Sequence, residues 1–248
     1  MLRNHRAMSC YGIIPARLGS TRFPEKILAD IHGKPMIVRV AEQTQKARKI
    51  DRLLVAIDNQ KVAAVLDEYN IPWIMTHPQH RSGTDRIYEA ARVFSPDIVI
   101  NIQGDEPLMD PAIIDAMVAL FNRPKVEMTT AVSTAFSPGD YVNPHIVKAF
   151  LNPADHAIDF VREVNRYEIG GCYKHLGLYG YRWNTLEKFV SLPPGKVEQA
   201  LRLEQWRALE NGITISAVIT DYPHHGVDTP DDMEYVLTQW KDLKHYDS

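Results

Sequence analysis

Short apolar runs alternate with amphipathic helical patterns along the first half of this chain, and this alternation constrains the fold more than any other feature. Runs rich in Ile, Val and Leu are typical of strands buried on both faces of a parallel sheet. Each run is followed by a helical pattern, which indicates repeated β-α-β units. The sequence therefore predicts an α/β fold with a mostly parallel sheet. The predicted strands are 11–15, 52–57, 71–75 and 97–103, and the predicted helices are 35–49, 60–69, 83–94 and 111–121.

The pattern changes after about residue 125, where strands and helices no longer alternate regularly. The polar segment 152–172 receives no assignment. We interpret 10–248 as a single domain in which 125–220 forms a smaller, mixed α+β lobe, and 1–9 as a frayed N-terminal extension. In this half the predicted strands are 127–134, 146–151, 174–183 and 214–220, and the predicted helices are 197–211, ended by Gly212, and 230–243.

Composition excludes several classes of protein. The 248 residues are 45% hydrophobic and 24% charged with a net charge of −3, so no basic excess favours nucleic-acid binding. Cys10 and Cys172 match neither a metal-binding spacing nor a disulfide framework, which fits a reducing compartment. The sequence has no run of about 18 apolar residues and no signal-peptide pattern. We expect a cytoplasmic protein with no membrane span and no nucleic-acid partner.

The loop after the first predicted strand is basic. Arg17, Arg22 and Lys26 lie within ten residues and flank the small residues 19–21. Backbone N–H groups of such a turn can cradle an anion, and the three cations could neutralise a polyphosphate. The alternative is a solvated basic loop. The loop matches neither the G-x-G-x-x-G dinucleotide fingerprint nor the P-loop motif, so a dehydrogenase and a P-loop NTPase are both disfavoured.

Two separated carboxylates are candidate metal ligands. Asp105 follows Gly104 at the end of the fourth predicted strand, and Asp228 directly precedes the last predicted helix. Mg²⁺ usually takes one or two carboxylates together with substrate phosphates. The alternatives are an ordinary turn at Asp105 and a capping segment at Asp228, in which Thr229 is the N-cap and Pro230 the first helical residue.

An ordered series of short motifs spans about residues 11–243. The motifs are Ile14-Pro-Ala-Arg17-x-Gly-Ser20-Thr-Arg22-x-Pro-x-Lys26, Gly33-Lys-Pro-Met36, Ser82-Gly-Thr-Asp-Arg86, Gln103-Gly-Asp-Glu-Pro107, His175-Leu-Gly-x-Tyr179, Leu203-Glu-Gln205 and Val227-Asp-Thr-Pro230. This series resembles the CMP-Kdo synthetase family, the 3-deoxy-manno-octulosonate (Kdo) cytidylyltransferases. The family resemblance implies a Rossmann-like nucleotidyltransferase sheet, CTP and an acidic sugar as substrates, Mg²⁺ as cofactor, and a homodimer.

The same resemblance implies roles for individual residues, which fall into four groups. The catalytic residues would be Arg17, Lys26 and Asp105; the nucleotide would be bound by Arg17, Ser20, Arg22, Lys26, Ser82, Gly83 and Gln103; the sugar acid by Arg162, His175, Tyr179, Glu204 and Gln205; and Mg²⁺ by Asp105 and Asp228.

Two segments depart from the family pattern. Glu25-Lys26-Ile27 stands where the family commonly has Gly-Lys-Pro, and an added carboxylate beside Lys26 would weaken phosphate attraction unless it points away. The segment 159–165 keeps Arg162 but not its usual neighbours. A cytidylyltransferase for another acidic acceptor (a modified Kdo, another sugar acid or a phosphonate) is therefore the main alternative, followed by a nucleotide-binding protein without catalytic activity.

Overall fold

A single twisted sheet organises the molecule. The computed structural model describes residues 8–19, 23–164, 171–223 and 225–243. The strands described are β1 (Cys10–Ala16), β2 (Arg52–Ile57), β3 (Trp73–Met75), β4 (Ile98–Asn101), β5 (Met128–Ser133), β6 (Lys148–Leu151), β7 (Ala157–Val161), β8 (Cys172–Arg182) and β9 (Ile215–Thr220). The helices are α1 (Met36–Gln45), α2 (Gln60–Glu68), α3 (Gly83–Ala91), α4 (Pro111–Leu120), α5 (Trp183–Ser191), α6 (Lys196–Leu201), α7 (Trp206–Glu210) and α8 (Pro230–Leu243), with a 3-10 turn at Lys26–Leu28.

The strand order is β3-β2-β1-β4-β8-β5-β9, with β6 and β7 attached through β8. β1 pairs in parallel with β2 and β4, and β2 with β3, while β8 is antiparallel to β4 and β5. Adjacent residues of one strand, such as Ile13 and Ile14 of β1, belong to different core clusters, so apolar groups cover both faces of the sheet. The predicted α/β fold with its mostly parallel first half is confirmed.

Local sequence signals explain where several helices begin. The side chains of Asn59, Ser82 and Asp110 accept hydrogen bonds from backbone N–H groups in the first turns of α2, α3 and α4, which stabilises each helix start. Pro111 occupies the first helical position of α4, as predicted. Strand 52–57 and helix 230–243 have the predicted bounds, whereas α1 and α3 end several residues earlier than predicted.

The prediction of one continuous helix over 197–211 is wrong. The structure has two short helices, α6 and α7, because Arg202 adopts a left-handed backbone conformation with φ of 53°. The break places Glu204 and Gln205 between the helices. Two elements are also absent from the prediction: β7, inside the unassigned segment 152–172, and α5.

Residues 125–220, interpreted from sequence as a mixed lobe, share the sheet with the rest of the chain. Their strands β5, β8 and β9 continue it beyond β4, and β6 and β7 form an antiparallel extension. Of the predicted N-terminal extension, 1–7 lies outside the described residues, and the Ser9 backbone N–H donates to Asp97 Oδ2 at 2.7 Å. In the described part of the chain no helix is both long and apolar enough to cross a membrane.

The loops that follow β1 and β4 leave the same edge of the sheet, because the two strands are parallel neighbours. Gly104 lies directly against β1: a Cβ added at Gly104 would stand 3.2 Å from the Pro15 carbonyl oxygen. The absence of a side chain at this position therefore allows the two loops to pack together. Carboxyl edges of this kind are where ligands bind in open α/β sheets.

Candidate active site

Two cavities open at this sheet edge and share one wall. The larger cavity has a volume of about 760 Å³ and the smaller cavity about 330 Å³. Gln103, Asp105 and Asp228 line both. Any group bound in one cavity therefore lies near a group bound in the other, with two carboxylates between them.

The Lys26 ammonium joins the two predicted metal ligands. Its Nζ donates to Asp105 Oδ2 at 2.5 Å, to Asp228 Oδ1 at 3.0 Å and to the Val227 carbonyl oxygen at 2.8 Å. Burial lowers the pKa of Lys26, but attraction from Asp105 and Asp228 outweighs it and leaves the pKa above its ordinary value. Carboxylates more than a hundred positions apart in sequence thus converge on one cation.

Backbone and capping contacts fix the Asp228 loop. The Val227 N–H donates to the Asp105 carbonyl oxygen at 2.9 Å, which ties this loop to the one after β4. Asp232 Oδ2 accepts from the backbone N–H groups of Asp228 and Thr229, and the Asp232 N–H donates back to the Thr229 hydroxyl at 3.3 Å. This reciprocal arrangement is a capping box with Thr229 as the N-cap, as predicted.

The residues at the shared wall fit a hard divalent cation. In the described ranges no three His, Cys, Asp or Glu side chains cluster as a complete metal site. Mg²⁺ does not require one, because it keeps several waters and is commonly held by one or two carboxylates plus phosphate oxygens. Asp105 and Asp228 supply the two carboxylates, and Lys26 already holds a positive charge between them.

The smaller cavity gathers most of the residues predicted to bind the nucleotide. Arg17, Lys26, Ser82, Gly83 and Gln103 all line it. Ser20 and Arg22, also predicted there, lie outside the described residues.

Arg86, to which the sequence analysis assigned no role, also lines the smaller cavity. It is 3% exposed, and its guanidinium donates to the Thr76 hydroxyl at 2.6 Å and to Asp58 Oδ2 at 3.2 Å. Asp58 Oδ1 in turn accepts the Leu18 N–H at 3.0 Å. This chain of contacts holds the basic loop after β1 against the sheet. In the sequence Arg86 ends the Ser82-Gly-Thr-Asp-Arg86 motif, but nothing in that motif showed that its guanidinium would line the cavity.

Glu25, the departure noted beside Lys26, points away from the cavity. Its Oε2 lies 2.5 Å from Lys61 Nζ, and both side chains are at least half exposed. The added carboxylate therefore pairs with a surface lysine on α2 and leaves the Lys26 ammonium to Asp105 and Asp228.

The larger cavity gathers His175, Tyr179, Glu204 and Gln205, four of the five residues predicted to bind the acceptor. His175 and Tyr179 both come from β8, where Gly177 has φ of 74° and the pairing register with β5 shifts. Burial lowers the pKa of His175 to about 3, so its ring is neutral. Its Nε2 lies 3.0 Å from the Thr130 hydroxyl.

Glu204 connects the walls of the two cavities. Its Oε2 accepts the Thr84 hydroxyl at 2.6 Å, and Thr84 follows Ser82 and Gly83 at the start of α3. Burial raises the pKa of Glu204, although hydrogen bonds from Thr84 and Ser82 act in the opposite direction. The buried pair Arg207–Glu198, with N–O distances of 2.9 and 2.5 Å, spans the break between α6 and α7.

Known proteins resemble this chain along most of its length. A family model described as cytidylyltransferase matches residues 11–215. The 3-deoxy-manno-octulosonate cytidylyltransferases of Chlorobium chlorochromatii and Geobacter sulfurreducens are each 41% identical over 94% of this chain, and the matches cover 98% and 100% of their lengths. The chain belongs to this cytidylyltransferase family. It is therefore an enzyme, a nucleotidyltransferase, as the sequence predicts.

A solved structure of a CMP:2-keto-3-deoxy-manno-octonic acid synthetase complexed with CTP superposes on the cytidylyltransferase with a TM-score of 0.89 at 34% identity. The match covers 95% of this chain and 99% of that chain.

Arg162 is the one predicted acceptor residue that the cytidylyltransferase does not bring into the larger cavity. Its guanidinium donates to the carbonyl oxygens of Pro144, Leu201 and Arg202 at 3.0, 3.3 and 3.3 Å. The side chain therefore joins the loop before β6 to the break between α6 and α7.

Other residues line the larger cavity although the sequence analysis did not select them. His145, Lys174 and Arg202 add basic groups, which suit an anionic ligand. Glu106 adds a buried carboxyl group, and burial together with the neighbouring Asp105 raises its pKa well above the ordinary value. The Gln103-Gly-Asp-Glu-Pro107 motif contained Glu106, but nothing in the motif distinguished its buried environment from the exposed one of an ordinary turn.

Proposed function

We propose that this chain transfers CMP from CTP to the anomeric hydroxyl of Kdo and releases pyrophosphate. The observation that carries the proposal is the convergence of Asp105, Asp228 and Lys26 at the wall between the two cavities. CTP would occupy the smaller cavity and the sugar acid the larger one, so that the α-phosphorus and the attacking hydroxyl meet at this wall.

The reaction needs one bond to form and one to break. The hydroxyl oxygen attacks the α-phosphorus, the bond from that phosphorus to the bridging oxygen breaks, pyrophosphate leaves, and the hydroxyl proton passes to solvent. Negative charge spreads over phosphate oxygens, so positioning and electrostatics dominate catalysis. Arg17 and Lys26, which line the smaller cavity, would stabilise this charge, and no covalent enzyme intermediate is required.

Asp105 and Asp228 are the proposed ligands of Mg²⁺. When bound, this ion supplies Lewis-acid stabilisation of phosphate charge and lowers the pKa of a coordinated hydroxyl. Lys26 would then keep its contact with the Val227 carbonyl, 2.8 Å away, and its ammonium would also attract the triphosphate.

The direct test is pyrophosphate release from CTP and Kdo by the purified chain in the presence of Mg²⁺. We expect multiple turnovers, loss of turnover with a chelator, and recovery when Mg²⁺ is restored. Binding of CTP without pyrophosphate release from any acceptor would instead favour a nucleotide-binding protein without catalytic activity.

A different acidic acceptor is the second candidate. The observation that favours it is the changed sequence around Arg162, whose guanidinium contacts backbone carbonyls and is not among the groups that line the larger cavity. Lys174 and Arg202 in the cavity suit many sugar acids and phosphonates. An acceptor panel with CTP and Mg²⁺ separates the two: rapid turnover of another acid with none of Kdo would overturn the primary assignment.

The implied homodimer is also a proposal. It is supported by exposed apolar side chains in the region of 125–220, where Val142 is 71% and Ile158 55% exposed. Light scattering after size exclusion should give twice the chain mass. A monomer at micromolar concentration would contradict the proposal.

A further inference from the structure

The first turn of α3 is connected to both cavities. Ser82 and Gly83 line the smaller cavity, and the hydroxyl of the next residue, Thr84, donates to Glu204 Oε2 at 2.6 Å. Glu204 lines the larger cavity. One helix start thus contributes directly to the smaller cavity and, through a single side chain, contacts a residue of the larger cavity.

Thr84 is buried together with a second hydrogen-bonding partner. Thr84 and Tyr181 are 1% exposed each, and buried hydroxyls of this kind need partners within the protein. Burial raises the pKa of the Tyr181 phenol, and its hydrogen bond with the Thr84 side chain acts in the opposite direction. Because Tyr181 lies on β8, the Thr84 hydroxyl joins α3 both to this strand and to Glu204.

The Glu204 carboxylate depends on tertiary contacts for its orientation, because it lies outside both α6 and α7. Hydrogen bonds from Thr84 and, to a smaller degree, Ser82 counteract the effect of burial on its pKa. Arg207 Nη2 is 3.8 Å from Oε1, beyond hydrogen-bond distance, and donates to Glu198 instead. In the part of the chain that the structure describes, Oε1 has no hydrogen-bond partner. The 2.6 Å contact with Thr84 is therefore well placed to fix the carboxylate.

We propose that Thr84 is a positioning residue that holds the Glu204 carboxylate in the orientation that binds the acceptor. The proposal rests on the proposed function, because it takes the larger cavity as the acceptor site. Thr84 is not among the residues that line either cavity, and the sequence analysis assigns it no role. The nucleotide site should not depend on the Thr84 hydroxyl, because Ser82 Oγ accepts the Asp85 backbone N–H at 3.1 Å independently of it.

The experiment compares Thr84→Val with Thr84→Ser in the full chain. Thr84→Val replaces the hydroxyl with a methyl group, whereas Thr84→Ser retains the hydroxyl. At saturating CTP, we expect kcat/KM for Kdo to fall about tenfold or more in Thr84→Val, since small misplacements at a site have effects of this size. Thr84→Ser should restore it to within about threefold of the unmodified chain, and KM for CTP should stay within about twofold in both variants.

Thr44 offers a matched control. It is also fully buried, its hydroxyl donates to the Val40 carbonyl oxygen at 2.8 Å, and it lines neither cavity. Thr44→Val should leave kcat/KM for Kdo unchanged even where it lowers Tm. Equal losses of kcat/KM in Thr44→Val and Thr84→Val would show a general effect of destabilisation and would overturn the proposal.

A double-mutant cycle with Glu204→Ala shows whether Thr84 acts through Glu204. Once the carboxylate is absent, adding Thr84→Val should lower kcat/KM for Kdo by less than about twofold more. If the two losses multiply instead, Thr84 acts by another route and the proposal fails. Thr84→Ala, which removes the hydroxyl without adding a methyl group in its place, gives the same comparison if Thr84→Val does not fold.

Turnover by the unmodified chain separates this inference from the proposed function. If the chain uses Kdo and Thr84→Val matches it in kcat/KM, the inference alone fails. If the chain uses another acid and not Kdo, the proposed function fails, and a tenfold loss with that acid in Thr84→Val supports the inference.

Discussion

Asp105 contributes a carboxylate to both cavities and accepts a charged hydrogen bond from Lys26. Substituting Asp105→Asn preserves its shape and removes the negative charge. We expect kcat to fall about 100-fold or more, because Asp105 is a proposed Mg²⁺ ligand and stabilisation of the charge on the reacting phosphate is the main source of catalysis. Tm should change little. Asp115→Asn is the control. Asp115 lies on α4, its Oδ1 accepts the Lys49 backbone N–H at 2.8 Å, and it lines neither cavity. A near-normal rate for Asp105→Asn would remove Asp105 from its role.

Arg86 acts on the basic loop through Asp58. Arg86→Lys loses the forked contact to Thr76 and Asp58, and a lysine cannot replace a forked guanidinium. We expect KM for CTP to rise about tenfold, equivalent to about 1.4 kcal/mol. Asp58→Asn should raise KM for CTP in the same direction, since Asp58 holds Leu18 N. An effect in Arg86→Lys alone would indicate direct contact with the nucleotide.

Arg39→Lys is the matched control for Arg86→Lys. Arg39 is also buried, and it donates to the carbonyl oxygens of Ile31 and His32. This substitution should lower Tm without changing KM for CTP.

Among single residues, the sequence predicted the charged side chains that lie in loop motifs, such as Lys26 and Asp228. It could not predict Arg86 or Glu106, because their importance depends on burial. It assigned Arg162 to the acceptor, but which carbonyls surround a guanidinium depends on the tertiary packing of distant segments.

The segment between α6 and α7 shows where hydrophobic periodicity fails to predict a helix boundary. Residues 197–211 have a helical pattern, yet Arg202 leaves the helical region and the chain reforms a helix only at Trp206. The buried Arg207–Glu198 pair spans the break. These contacts join residues on both sides of the break. Local helix propensity therefore gave no indication that the helix would be interrupted. By contrast, β1, β2 and β4 were predictable because burial on both faces produces uninterrupted apolar runs.

Near its C-terminal end, β8 depends on a glycine, Gly180, that allows neighbouring strands and side chains to pack closely. A Cβ at Gly180 would lie 2.4 Å from Thr129 Oγ1 and 2.8 Å from Ile100 Cδ1. Gly180→Ala should therefore lower the free energy of unfolding by about 1–3 kcal/mol through overpacking. At Gly139 the nearest atom would be 3.9 Å away, so Gly139→Ala should stay within about 0.5 kcal/mol. Equal denaturant midpoints for the two variants would contradict this account.

For the molecule as a whole, stability should depend on pH through His175. Its pKa is about 3 when folded because burial disfavours the charged ring, against about 6.5 when unfolded. A group whose pKa is lowered in the folded state contributes stability that is fully present above its unfolded-state pKa and is lost as the pH falls below that value. Between about pH 6 and pH 4 the contribution should decline by up to about 1.4 kcal/mol per pH unit.

His175→Gln isolates that contribution. The variant should lose less free energy of unfolding than the unmodified chain over the same pH range, as measured by urea titration at each pH. Parallel pH dependences in the two proteins would show that His175 is not buried in its neutral form.

The hydrogen bond from Val227 N to the Asp105 carbonyl oxygen has a consequence for biosynthesis. A chain emerging from the ribosome can pair β1 with β2 and β4 early, yet its catalytic centre stays unfinished until residue 228 has left the exit tunnel. Nascent fragments that stop before Val227 should therefore contain all of the strand sequences described and release no pyrophosphate.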